Sequence, residues 1–195
     1  MRDIAEIRSM MERSSKFMSL SGWAGILAGF YALVGAFVAW KFLGFNPDSI
    51  EYPLAGDGLF YVFLVALSVL LLSICSSIAD SYYKAKSKGQ KAWNVTSRRL
   101  LNDMAVPMVT CALLIIILIN YQLIGLIAPI TLIFYGLAIY NASNFTFKVM
   151  RIISYVQIFL GLLSCCFIQY SLLLWATGFG LVHIIYGIYM FKYEQ

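Results

Sequence analysis

Residues 58–79 read GLFYVFLVALSVLLLSICSSIA, and this stretch contains no charged residue. A helix of about 20 apolar residues, rising 1.5 Å per residue, is long enough to cross the roughly 30 Å hydrocarbon core of a bilayer. Five other segments have the same apolar character. The sequence therefore predicts an all-α integral membrane bundle of six transmembrane helices, with spans at about 18–40, 58–79, 100–119, 122–140, 150–169 and 172–191.

The composition of the whole chain favours the same class. Of its 195 residues, 62% are hydrophobic and only 12% are charged, whereas a soluble domain is about half apolar and about a quarter charged. A soluble chain of this size would lack the polar side chains needed to cover its surface. Because six spans use most of the chain, we expect residues 18–195 to form one transmembrane domain.

Residues 1–17 precede the first span and have a different pattern. Ile4, Ile7 and Met11 recur at three- and four-residue spacing among charged residues, which is typical of an amphipathic helix. A helix of this kind beside a span is expected to lie in the membrane interface. Docking to a protein partner is the alternative.

The cations are distributed very unevenly between the two sides of the predicted bundle. One side carries thirteen of them: Arg2, Arg8, Arg13, Lys16, Lys84, Lys86, Lys88, Lys91, Arg98, Arg99, Lys148, Arg151 and Lys192. The other side carries only Lys41. The positive-inside rule then places both termini in the cytoplasm. The net charge of +5 is attributed to orientation and to anionic lipid headgroups, and not to nucleic acid.

Small residues and prolines suggest how the spans pack. Gly25 and Gly29 form a small-xxx-small pair in span 1, which lets a second helix approach closely. We expect this face to pack inside the protomer, and a homodimer through it is the alternative. Pro107 and Pro129 are each expected to kink a helix and to leave a carbonyl, that of Asp103 or Gly125, without its helix hydrogen bond.

Polar side chains are rare within the spans, and most of those present fall at similar depth. Polar groups in lipid are costly, so each one suggests a functional site. The ligand-binding candidates, all predicted to lie in the cytoplasmic half, are His183, Gln157, Tyr135, Thr110, Asp103 and Ser73. Burial disfavours a charged imidazole, so His183 is expected to be neutral at about pH 7. A purely structural histidine, hydrogen-bonded to a neighbouring hydroxyl, is the simpler interpretation.

Catalytic signatures are missing from the sequence. One histidine cannot supply a bis-histidine haem site or a zinc site, and no Gly-rich phosphate loop occurs. The four cysteines all fall inside predicted spans. We therefore predict no enzyme activity, no catalytic residue, no metal and no cofactor.

The stretch IRSMMERSSKFMSLSGWAGILAGFYALVGA, residues 7–36, resembles the start of an uncharacterised family of small multi-pass inner-membrane proteins of Bacteroidetes-type bacteria. The resemblance implies an inner-membrane location and no known activity. Separately, INYQL at 119–123 and IQYSL at 168–172 suggest that the hairpins of spans 3–4 and 5–6 are repeats. Chance similarity between apolar helices explains the match equally well.

Two functions are compatible with these observations. The polar layer, the prolines and the repeat favour a protein that binds or transports a small molecule. The amphipathic helix and the basic loop between spans 2 and 3 favour a non-enzymatic sensor or accessory subunit that binds a protein partner.

Overall fold

The computed structural model describes residues 22–51, 58–87, 93, 95–146 and 148–193. Six helices in these ranges are long and apolar enough to span a membrane, and no strand occurs among the described residues. The predicted all-α class with six spans is confirmed. The predicted amphipathic helix, residues 1–17, lies outside the described residues.

The first five spans are single α-helices: span 1 is Gly22–Lys41, span 2 Gly58–Ser87, span 3 Val95–Asn120, span 4 Ile127–Ala142 and span 5 Lys148–Cys166. Span 6 consists of a 3-10 turn, Ile168–Tyr170, an α-helix, Ser171–Trp175, a π-helix, Ala176–Val182, and an α-helix, His183–Tyr193. Span 2 continues to Ser87, beyond the predicted end at residue 79, because polar and charged residues such as lysine are compatible with a helix outside lipid.

Span 6 lies at the centre of the arrangement. It packs against span 1 on one side and against spans 4 and 5 on the other. Span 2 packs against span 1, and span 3 packs against span 4. Span 6 therefore touches helices from both halves of the chain, so polar side chains on its face can meet those of spans 4 and 5.

The glycine face of span 1 is used inside the protomer. Gly25 and Gly29 are both buried, and a Cβ atom at position 29 would lie 2.6 Å from the carbonyl oxygen of Gly180 in span 6. A Cβ atom at position 25 would lie 3.1 Å from the carbonyl oxygen of His183. Span 6 thus packs on this face within the protomer, as the first of the two sequence-based alternatives expects.

The connections at one end of the bundle contact each other. Spans 4 and 6 both begin with a three-residue 3-10 turn, at Ile124–Leu126 and Ile168–Tyr170. The loop after span 1 reaches the first turn, where the backbone N–H of Gly125 donates to the carbonyl of Ile50 at 3.1 Å. This hydrogen bond holds the 1–2 loop against the 3–4 connection, and Ile168 of the 5–6 connection packs beside Gly125.

The proposed repeat does not align these turns. Residues 119–123 precede the first 3-10 turn, whereas residues 168–170 form the second. Superimposing the turns instead places Tyr135-Gly136-Leu137 opposite Phe179-Gly180-Leu181. The matched letters INYQL and IQYSL therefore occupy different structural positions, and this register of the repeat is wrong.

The two prolines have different consequences. Pro107 lies inside span 3, and the carbonyl of Asp103, four residues earlier, accepts a hydrogen bond from Asn141 Nδ2 of span 4 at 3.1 Å. Pro129 is the third residue of the span 4 helix. A proline in a first turn removes no interior hydrogen bond, so the kink predicted at Pro129 is wrong.

Candidate functional site

The carbonyl oxygen of Gly178, in the middle of span 6, receives hydrogen bonds from two side chains. Gln157 Nε2 of span 5 donates to it at 2.8 Å, and His183 Nδ1 lies 3.0 Å away. A carbonyl oxygen has two lone pairs and can only accept, so the hydrogen must be on Nδ1 of the imidazole. One backbone atom therefore orients both polar side chains.

This tautomer also determines which group donates in the hydrogen bond between His183 and Tyr135. His183 Nε2 lies 2.8 Å from the hydroxyl oxygen of Tyr135 in span 4. A neutral imidazole with its hydrogen on Nδ1 has an acceptor at Nε2, so the Tyr135 hydroxyl donates to it. Spans 4, 5 and 6 are thus joined by one chain of hydrogen bonds, which we call the Tyr135–His183–Gln157 cluster.

The backbone around Gly178 has the geometry of a π-helix, from Ala176 to Val182. Such single turns are rare, and they occur frequently at functional sites. A side chain at Gly178 would also displace its neighbours. A Cβ atom there would lie 2.6 Å from Gln157 Oε1 and 2.5 Å from Leu132 Cδ2, and both Gln157 and Leu132 are completely buried.

Aromatic rings cover one side of the cluster. Trp175, Phe179 and His183 follow one another at four-residue spacing along span 6, with centroid distances of 4.9 Å and 5.9 Å between neighbours. The Tyr135 ring lies 4.9 Å from Phe179 and 5.4 Å from His183. All four rings are only half-buried, so they form a surface on which a planar or apolar group could stack.

The face of span 5 that contains Gln157 is polar and sealed. Ser154, Gln157 and Ser164 have no exposed surface, as their spacing predicts for one inward face. Gln157 Oε1 and the Ser164 hydroxyl have no hydrogen-bond partner among the described residues. The same holds for Ser171, at the start of span 6. Buried polar atoms normally have partners. These three groups therefore have unused hydrogen-bonding capacity.

The other three predicted residues do not join the cluster's hydrogen bonds. The hydroxyl of Thr110 donates to the carbonyl of Val106 at 2.8 Å, and the hydroxyl of Ser73 donates to Val69 at 2.7 Å. Both bonds stay within one helix. Asp103 is exposed, and its backbone carbonyl, not its carboxylate, accepts from Asn141. Of the six candidates, the structure brings together only Tyr135, Gln157 and His183.

Sequence reasoning missed the backbone and aromatic parts of the site. Gly178 was not a candidate, although two glycines in the sequence TGFGLV, residues 177–182, indicate an irregular helix. The spacing of Trp175, Phe179 and His183 places them on one helix face, and this signal was available from the sequence. The ring of Tyr135 could be added only once span 4 was known to lie beside span 6.

Comparison of the chain with protein-family models, with curated proteins and with solved structures finds no match. The resemblance of residues 7–36 to a bacterial family therefore stays a prediction. Functional inference rests on the geometry of the cluster.

Proposed function

We propose that the protein binds a small molecule at the Tyr135–His183–Gln157 cluster and that it transports this molecule or responds to it. The observation that supports this most directly is the hydrogen-bonded chain from three spans that meets at a π-helical turn. Polar groups are costly in lipid and are concentrated at pathways and binding sites. Packing alone does not require two side chains on one carbonyl and a third bonded to one of them.

The unused atoms of the cluster indicate the chemistry of the ligand. The donors Nδ1–H of His183 and O–H of Tyr135 are both taken. The Tyr135 oxygen keeps its acceptor lone pairs, because a hydroxyl accepts as well as donates. A ligand that stacks an apolar or aromatic body on the half-buried rings and donates a hydrogen bond to Tyr135 fits this arrangement. Small-molecule sites are commonly apolar with a few such polar groups.

A thermal-shift screen of small molecules, on the full chain in a neutral detergent, tests the proposal. A ligand of the cluster should raise the unfolding temperature of the wild type and should have little effect on Tyr135→Phe. Ser73→Ala is the matched control, because it removes a hydroxyl bonded only to its own helix, and it should respond like the wild type. Hits that stabilise Tyr135→Phe as strongly as the wild type would place the binding site elsewhere.

Transport and sensing are separated by a second measurement with the same compound. Proteoliposomes containing the wild type should move it faster than protein-free liposomes if the protein is a carrier or channel. The π-helical turn around Gly178 favours transport, because π-bulges are frequent at functional sites and are points at which helices kink. Binding without flux would favour a sensor.

A non-enzymatic accessory subunit is the second candidate, and it is favoured by the surface of span 2. None of the most apolar window of this helix is buried within the chain, and large side chains such as Phe63 and Leu71 are exposed. Photo-crosslinking from position 71 in native membranes would capture a protein if this function is correct. Labelling of lipid alone would count against it.

We also propose that the protein lies in the inner membrane of a bacterium and that both of its termini are on the cytoplasmic side. Among the described residues, Lys84, Arg98, Arg151 and Lys192 belong to the side opposite the hairpins. Lys41 belongs to the hairpin side, together with Asp48 and Glu51. This asymmetry supports the orientation through the positive-inside rule.

A further inference from the structure

Arg151, in the first turn of span 5, has a guanidinium group whose contacts with the described residues are all to neutral groups. Its Nε donates to the hydroxyl of Ser143 at 3.3 Å, and its Nη2 donates to Asn144 Oδ1 at 3.0 Å. The group also lies over the Tyr140 ring, 5.6 Å from its centroid. The linker between spans 4 and 5 therefore fixes the direction of this arginine.

The positive charge of Arg151 has no counter-charge in the described part of the chain. Its contacts are two neutral oxygens and one ring, and no carboxylate of the described residues forms an ion pair with it. Asp103 approaches this region only through its backbone carbonyl, which Asn141 occupies. A guanidinium has five N–H donors, and these contacts use two of them. Among the described residues, nothing occupies the remaining donors or neutralises the charge, so both can serve an anion.

The surroundings of Arg151 suit both the headgroup and the acyl chains of a phospholipid. Its own side chain is exposed at the end of a span, where headgroups lie, and Tyr140 and Tyr155 form a ring pair beside it at 5.8 Å. Tyrosines are enriched at this depth of a membrane. Below it, Ile152, Val156 and Phe159 are exposed on the same face of span 5 at three- and four-residue spacing, so acyl chains can lie along them.

We propose that Arg151 binds the phosphate of an anionic phospholipid headgroup, with the acyl chains against the exposed face of span 5. Arginine recognises phosphate through paired N–H donors, and this interaction is stronger than that of a lysine point charge. The first turn of a helix adds further attraction for an anion. A soluble phosphate would share the headgroup contacts but would leave the apolar stripe unused. This site is independent of the Tyr135–His183–Gln157 cluster.

Native mass spectrometry of the purified full chain in neutral detergent can test this assignment, with phosphatidylglycerol, phosphatidylcholine and inorganic phosphate as probes. The wild type should bind phosphatidylglycerol more tightly than phosphatidylcholine. Arg151→Gln should raise the apparent Kd for phosphatidylglycerol about tenfold, as expected when a hydrogen bond to a charged group is lost. Arg151→Lys should recover only part of the affinity, because it keeps the charge and loses the paired donors.

Arg99→Gln is the matched control. It removes an exposed cation from the same side of the bundle, and we expect less than a twofold change. Equal losses in Arg151→Gln and Arg99→Gln would overturn the proposal in favour of diffuse attraction. A wild type that does not distinguish the two lipids would overturn it without any variant. Full competition by inorganic phosphate would instead identify a soluble-anion site and would also refute the lipid assignment.

Discussion

Replacing Tyr135 and His183 by phenylalanine, singly and together, tests the central hydrogen bond of the cluster. Tyr135→Phe deletes one hydroxyl and keeps the ring that contacts Phe179 at 4.9 Å. His183→Phe keeps an aromatic ring of similar breadth and deletes both ring nitrogens, with their contacts to Tyr135 at 2.8 Å and Gly178 at 3.0 Å. The two single variants therefore remove one and two hydrogen bonds.

The expected magnitudes follow from this count. Hydrogen bonds between membrane helices contribute about 0.6 kcal/mol on average and about 1.7 kcal/mol at most. Tyr135→Phe should lower the free energy of unfolding by an amount in that range, and His183→Phe by about 1–3 kcal/mol for two such bonds. Only the bond between the two residues is shared, so the double variant should cost less than the sum by about 0.6–1.7 kcal/mol.

Reversible unfolding in mixed micelles, followed by far-UV circular dichroism, measures all four proteins of this cycle. Tyr140→Phe is the control, because the Tyr140 ring contacts Arg151 and Tyr155 and its hydroxyl is outside the cluster; we expect a change below about 0.5 kcal/mol. Strict additivity of the two cluster substitutions would refute the reasoning, because it would mean that Tyr135 and His183 do not interact.

Three further perturbations address the rest of the fold. Asn141→Leu removes the donor to the Asp103 carbonyl and should lower the free energy of unfolding by about 0.6–1.7 kcal/mol in the same assay. This loss should be smaller in a Pro107→Ala background, because the N–H of residue 107 can then bond the Asp103 carbonyl. An unchanged loss would contradict that account. Gly29→Ala should destabilise by about 1–3 kcal/mol through overpacking against the backbone of span 6. The effect should exceed that of Gly35→Ala, which meets only side-chain atoms, those of Val69 and Val65; equal effects would show that span 6 can move away from position 29 at little cost. Single cysteines at positions 49 and 87, in a background without native cysteines, should be labelled from opposite sides of the membrane. An impermeant thiol reagent added outside intact cells should reach only position 49. Labelling of position 87 alone would invert the proposed orientation.

The class of the protein and the extent of its spans follow from local properties of the sequence. Transfer of each apolar residue into lipid contributes nearly independently, so a run such as 58–79 identifies a span without knowledge of its neighbours. Helical spacing is equally local: intervals of three and seven residues put Ser154, Gln157 and Ser164 on one helix face, and all three are completely buried. The small residues Gly25 and Gly29 likewise indicated a close helix contact.

Only the tertiary structure decided which helices meet. Thr110 and Ser73 were predicted to lie at a suitable depth in the membrane. Depth does not specify which way a side chain points around its helix or which helix lies beside it. Both hydroxyls bond within their own helices. The encounter of Tyr135 with His183 required span 4 to lie beside span 6, and the role of Gly178 required a π-helical turn. Lipid is as apolar as the helix surfaces, so hydropathy cannot rank one helix pairing above another. The choice comes from close packing at small residues and from hydrogen bonds between spans, which depend on residues far apart in the chain.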